Sequence, residues 1–213
     1  MHRGQQYIDQ RGVVAYDAGM AKIDIASTKT TLTEPGKIRD FLADFGVSYE
    51  QWPLEDRVSP DAEPQVILDA YKPELDVLKS QGGYVTADVI NVNPATPNLD
   101  AMLNRFNKEH THSEDEVRFI LKGRGVFHFH PDQGPVFALE VEPGDLINVP
   151  AGTKHWFDLC TERTIRAIRL FKDTSGWTPA YVDGSQLHLQ NQPLCWGPAY
   201  VPTERAGKVT SVI

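Results

Sequence analysis

Four side chains in this 213-residue chain have the types and the spacing to hold one metal ion. Three lie in the run His110-Thr111-His112-Ser113-Glu114-Asp115-Glu116, and the fourth, His155, comes much later. In an extended strand alternate side chains share a face, so His110 and His112 can reach one ion together, and Glu116 has the same parity. A histidine from a separate strand would close one side of an octahedron and leave the opposite side open to substrate. Imidazole and carboxylate donors together suit iron, nickel, manganese or zinc, and the absence of thiolate disfavours a closed structural zinc site. Chemistry at such a centre is Lewis-acid polarisation combined with orientation of the bound molecule.

Positioning these residues requires short strands and tight turns, and the chain supplies both from about residue 110. Runs 116–121, 126–130, 135–141, 146–149, 155–160 and 164–171 are rich in strand formers and are separated by Lys122–Gly125, Pro131–Gly134, Glu142–Asp145 and Thr161-Glu162-Arg163. That texture predicts an antiparallel sandwich or barrel. Gly144, Pro150 and Gly152 frame a turn able to present His155 opposite the first segment. Upstream the pattern is helical. Thr33-Glu34-Pro35 opens a helix with Ile38, Phe41, Leu42 and Phe45 on one face, and Gly46 stops it. A second helical stretch begins near Asp61, with Val66, Ala70 and Leu75 apolar and Pro73 kinking or splitting it. Asn98 caps a third, carrying Leu99, Met102, Leu103 and Phe106. Helices first and strands later predict an α+β chain that is mainly β. The expected domain spans 33–183, with extensions at 1–32 and 184–213.

Bulk properties narrow the class further. A formal net charge of −8 argues against a nucleic-acid binder, because phosphate attraction needs a basic surface. An anionic small molecule is still admissible, since a bound cation can reverse the local potential. No apolar run approaches the roughly 20 residues that span a bilayer, so no membrane partner is expected. The N-terminus lacks the apolar stretch of a secretory signal, and two cysteines, Cys160 and Cys195, form no disulfide framework; a reducing, cytoplasmic setting is expected. Cys160 reads as a small packing residue, and His128 and His130 as two half-exposed strand histidines. The oligomeric state is left open.

The two segments together resemble the double motif of the cupin superfamily, an HxH-x3-E-x6-G half and a G-x5-P-x-G-x2-H half. Asn104 stands where the first half usually begins with Gly, and Leu159 where the second usually ends with Asn, but neither is a ligand position. The wider stretches Asn107–Phe119, Pro150–Asp158 and Ala167–Phe171 ahead of Gly176-Trp177 resemble the acireductone dioxygenase family, and Gly46–Trp52 and Ala70-Tyr71 resemble its N-terminal part. That resemblance implies a cupin jelly-roll barrel, helices mainly from the N-terminal part, and one divalent ion, Fe2+ or Ni2+, on His110, His112, Glu116 and His155. It implies cleavage of acireductone, a methylthio-substituted enediol ketone of methionine salvage, by O2. Iron would give formate and the keto acid precursor of methionine; nickel would give methylthiobutyrate, formate and carbon monoxide. Arg118 shares the parity of the ligands and is expected to face the cavity, while Arg169 matches the family's substrate-facing position. Phe106, Phe157 and Trp177 match its pocket, and Glu114 is a candidate for orienting a ligand imidazole. Two alternatives stand beside this reading: another mononuclear cupin dioxygenase or decarboxylase, and a non-catalytic cupin that binds or regulates.

Overall fold

The computed structural model describes residues 7–8, 14–15, 21–54, 57–173, 178–191 and 195. A ribbon of β1 (Tyr7–Ile8) and β2 (Val14–Ala15) comes first, followed by a hairpin of β3 (Lys22–Ile25) and β4 (Thr30–Leu32). Pro35 then occupies the first turn of α1 (Pro35–Ala43), where its missing N–H would be unpaired in any case. Ile38 and Leu42, one turn apart, are the residues that α1 buries. Strand β5 (Ser48–Gln51) follows. Pro73 does split the next helical stretch, into α2 (Pro64–Ala70) and α3 (Lys72–Gly82), because proline fits only the opening of the second piece. The buried face is carried by Ile67, Tyr71 and Leu75; Val66, expected on it, is 52% exposed. After β6 (Thr86–Val92) comes the short α4 (Leu99–Leu103), which Asn98 precedes in the left-handed conformation without a side-chain cap.

The remaining strands are β7 (His110–Thr111), β8 (Glu116–Gly123), β9 (Gly125–Phe129), β10 (Phe137–Val141), β11 (Asp145–Val149), β12 (His155–Leu159), β13 (Ile165–Phe171) and β14 (Ala180–Tyr181), with α5 (Leu187–Gln190) after them. They form two antiparallel sheets, ordered β14-β7-β12-β9-β10-β3-β4 and β5-β11-β8-β13-β6. Between them lies one core, Phe127, Phe129, Phe137 and Leu139 from the first sheet against Ile120, Ile147, Ala167 and Val149 from the second. This is the cupin β-barrel expected from the motif. The second sheet is covered on its other face too, where Val117, Phe119, Ile168 and Leu170 pack under Ile67, Tyr71 and Leu75. Cover on both faces leaves β8 buried without alternation from Glu116 through Leu121, charged Glu116 and Arg118 included. At the end of β8, Gly123 has φ +77°, and a Cβ there would sit 1.9 Å from the Thr164 carbonyl oxygen, so the turn admits only glycine.

Three expectations need correction. Residues 22–32 are not an extension outside the barrel: Ile23 pairs with Leu139 and Leu32, and Ile23 and Ile25 are in the core. The cysteines are not separate, because Cys160 and Cys195 form a disulfide that packs with Val126 on the outer face of the first sheet. His128, on that same face, is not half-exposed but 2% exposed, stacked on Trp156 with ring centroids 4.8 Å apart. Among the described residues no helix is long and apolar enough to cross a membrane.

One carboxyl stands out at the foot of β11. Asp145 is fully buried, accepts hydrogen bonds from the Tyr49 hydroxyl (2.7 Å) and the Glu142 N–H (2.8 Å), and burial, reinforced by the charge of Glu142, pushes its pKa up to about 7. An unfolded aspartate releases its proton near pH 4 and the folded one near 7, so stability falls as pH rises through that interval. Asp145→Asn removes the proton linkage. Relative to the variant, the parent should therefore lose about 3 kcal/mol between pH 4.5 and pH 8. Urea unfolding across that range checks this; parallel stability profiles would place the proton elsewhere.

Candidate metal centre

The two sheets meet at the ends of β7, β8 and β12, and there the chain brings its histidines together. His110 in β7 lies directly opposite His155 in β12, their rings 4.6 Å apart. His112 follows β7, and its ring lies 4.8 Å from that of His110 and 5.2 Å from that of His155. Each of the three offers a ring nitrogen, and these atoms lie within 4.8 Å of one another. Glu116 opens β8 in the opposite sheet, and its Oε2 is 3.1 Å from His155 Nε2 and 3.2 Å from His112 Nε2. All four side chains are buried.

Strand parity explains this only in part. β7 ends at Thr111, and the chain crosses from one sheet to the other before Glu116. His112 is therefore held by the crossing, not by alternation along a strand. Gly152 N–H donates to the His112 carbonyl (2.9 Å), tying the turn before His155 to the same crossing.

The imidazoles are oriented by the main chain. His110 Nδ1 donates to the Lys108 carbonyl (2.6 Å), His155 Nδ1 to the Thr153 carbonyl (2.8 Å) and His112 Nδ1 to the Thr178 carbonyl (3.2 Å). That pattern sets the tautomer, leaving each Nε2 deprotonated as a metal ligand must be. His110 Nε2 is buried without a hydrogen-bond partner among the described residues, which is costly unless an ion takes it up. Burial, followed by the neighbouring His155, lowers the His110 pKa to about 4, so the ring is neutral at pH 7. Glu116 behaves oppositely. Burial works to raise its pKa, but the Arg118 charge, helped by the neighbouring His112 and His155 rings, outweighs it and holds the group well below the ordinary carboxylate range. Three neutral nitrogens and one carboxylate make a donor set fit for a divalent ion of the iron–nickel type.

Glu114 does not orient an imidazole. Every Nδ1 is already met by a carbonyl, and Glu114 Oε2 instead accepts the Lys172 N–H at 2.6 Å. Asp115 is the better-connected neighbour: it accepts from Ala151 N–H (3.1 Å), the Tyr84 hydroxyl (3.1 Å) and Lys172 Nζ (2.7 Å), joining three segments around the centre. Nothing in the one-dimensional pattern marked those partners.

Arg118 does face the interior. Its Nε donates to Glu116 Oε1 at 2.5 Å, and its guanidinium lies 5.1 Å from the Phe157 ring centroid and 5.7 Å from that of Phe127. Arg169 stands opposite Arg118 on β13, but its planar fork grips Asp88, Nε to Oδ1 at 2.8 Å and Nη2 to Oδ2 at 2.6 Å. Phe106 is half-buried with its ring 5.9 Å from His110, and its carbonyl accepts the Phe157 N–H at 2.8 Å. Trp177 lies outside the described residues.

Comparison with known proteins places the chain in a family. Residues 25–179 match the ARD/ARD' family. An acireductone dioxygenase from Picosynechococcus sp. is 47% identical over 167 residues, covering 78% of this chain and 94% of the relative. One from Gluconobacter oxydans is 40% identical over 176 residues, covering 83% and 89%. Among solved structures, an acireductone dioxygenase from Bacillus anthracis, with a cadmium ion in its active centre, superposes with a TM-score of 0.70 at 40% identity, covering 77% of this chain and 99% of that one.

Proposed function

Since the chain belongs to the ARD/ARD' family of acireductone dioxygenases, we propose that it cleaves acireductone (1,2-dihydroxy-3-oxo-5-methylthiopentene) with O2 to formate and 4-methylthio-2-oxobutanoate, as a cytoplasmic step of methionine salvage. The observation that supports this most directly is the convergence of three carbonyl-oriented imidazoles on a buried carboxylate inside the barrel. His110, His112, Glu116 and His155 would hold one divalent ion, Fe2+ or Ni2+. When bound, that ion supplies Lewis-acid polarisation and orients the enediol oxygens.

The chain's own residues do the rest. A dication against a single carboxylate leaves the centre with net positive charge, which favours the enediolate anion over the neutral enediol. Arg118 keeps Glu116 ionised and adds a permanent cation in a cavity where water screens poorly. A guanidinium carries five N–H donors, so contact with Glu116 is compatible with contact to a substrate oxygen. Arg169, opposite Arg118 on the neighbouring strand, is paired with Asp88, so it would meet substrate only through the N–H donors that this ion pair leaves. Phe157 and Phe106 give the methylthio tail apolar surface and exclude water from the reacting end.

Exchange of the metal tests the reading. Metal-free enzyme reloaded with iron should yield the keto acid and formate, whereas nickel should release carbon monoxide. Headspace carbon monoxide and product chromatography under single-metal conditions measure both. Acireductone untouched by either form would remove the substrate assignment; identical products from the two would remove only the metal dependence.

A further inference from the structure

The segment beyond the family match touches the metal centre at its first end and is fastened at its other end to the far end of the strand that His155 begins. Its first part lies against β7: Tyr181 pairs with His110, Val182 N–H donates to the Glu109 carbonyl (3.0 Å), and the Tyr181 hydroxyl donates to the Arg105 carbonyl (3.1 Å). Just before it, Thr178 supplies the carbonyl that orients His112. Further along, the Ser185 hydroxyl donates to Glu109, a buried carboxylate whose other oxygen is 2.6 Å from His130 Nδ1. The segment is then fastened by Cys195 to Cys160, the residue immediately after β12, the strand that His155 begins. Ser185 and Cys195 both fall outside the 25–179 match, so this fastening is additional to the family's common part.

The fastening matters because the contact it secures is small. β14 and β7 pair through only two residues each, at the edge of the sheet, where pairing opens most readily. A covalent tie makes re-closure of such a contact intramolecular and therefore favourable. Resting on the metal reading above, we propose that the Cys160–Cys195 disulfide is a clasp that keeps β14 and the Thr178 carbonyl seated on His110 and His112, so that the thiol–disulfide state of this pair sets how firmly the centre holds its ion. Opening the clasp takes two electrons and two protons from a dithiol reductant. The Sγ–Sγ bond breaks to two thiols and the reductant closes into its own disulfide.

Loss of a partner that orients a ligating histidine typically lowers metal affinity about 10- to 100-fold. The full chain loaded with Ni2+ should therefore release it to a chelator about ten-fold or more faster after dithiothreitol treatment, and equally fast as Cys195→Ser. Loaded with Co2+, both forms should show a shifted visible absorption spectrum. Removing the reductant in air should restore the slow release and the original spectrum in the wild type but not in Cys195→Ser. Thiol titration confirms the redox state in each case, and two free thiols in the air-oxidised protein would overturn the proposal. A lowered melting temperature with unchanged Ni2+ release and an unchanged Co2+ spectrum would also overturn it, by making the disulfide a structural tether alone. Oxidised wild type that binds no Ni2+ at all would bring down the four-ligand reading together with the clasp, whereas binding with redox-independent release would bring down the clasp alone.

Discussion

Replacing His155 with alanine is expected to leave a folded barrel that has lost nearly all its metal, with turnover of acireductone reduced at least about 100-fold. The reason lies in where His155 sits. It begins β12 from a turn framed by Pro150 and Gly152, and its side chain enters the centre beside His110, its pairing partner in β7. Removing the imidazole deletes one wall of the site but leaves β12 paired to β9 along five residues, from His155 through Leu159. Glu116 keeps Arg118 as its partner, so no uncompensated charge is left in the core. Elemental analysis, melting temperature and rate on one preparation check the expectation. A fully metallated variant with near-normal turnover would refute the four-ligand assignment.

Replacing Arg118 with alanine strikes the same centre by a different route. The guanidinium and the Glu116 carboxylate are both buried, their side chains 7% and 2% exposed. Removing one partner of such a pair strands the other, at a cost of about 3–5 kcal/mol in the metal-free protein. A bound divalent ion would compensate much of that loss, so the stability deficit should shrink on metal loading. Arg118 is also the main favourable influence on Glu116 ionisation. Without it the carboxyl pKa rises, protons compete with metal at higher pH, and loss of metal on acidification should begin earlier than in the parent. With metal saturated, losing a charge-assisted contact to substrate should lower kcat/KM by about 10- to 150-fold. Arg118→Lys should recover only part, since a point charge does not reproduce the planar fork. Normal kinetics in metal-replete Arg118→Ala would confine the residue to a structural role.

The centre was unusually legible in the amino-acid order. Histidine and glutamate at those spacings, with Gly123, Pro150 and Gly152 as turn markers, are local constraints written where they act. Strands β8 to β13 were readable for the same reason, each being bounded by residues that turns require. β3, β4, β5 and β6 were not. Lys22–Ile25 and Thr86–Val92 have unremarkable local patterns and become strands because β10 and β13 offer unpaired edges to them. Pairing between distant segments leaves no mark on either one alone.

What the sequence determined by itself was the set of proposed donors, the β-rich architecture and the glycines without which its turns cannot form. Only the tertiary structure decided how those donors are held. Carbonyl groups of Lys108, Thr153 and Thr178 set the imidazole tautomers, and any residue type carries a carbonyl, so no side-chain pattern could announce them. Arg169 finds its partner in Asp88 because β6 and β13 lie side by side, 81 residues apart in the chain. Cys160 finds Cys195 because the chain beyond β14 returns across the outer face of the first sheet. Side-chain chemistry is inherited residue by residue, whereas orientation, pairing and burial belong to neighbours that only folding supplies.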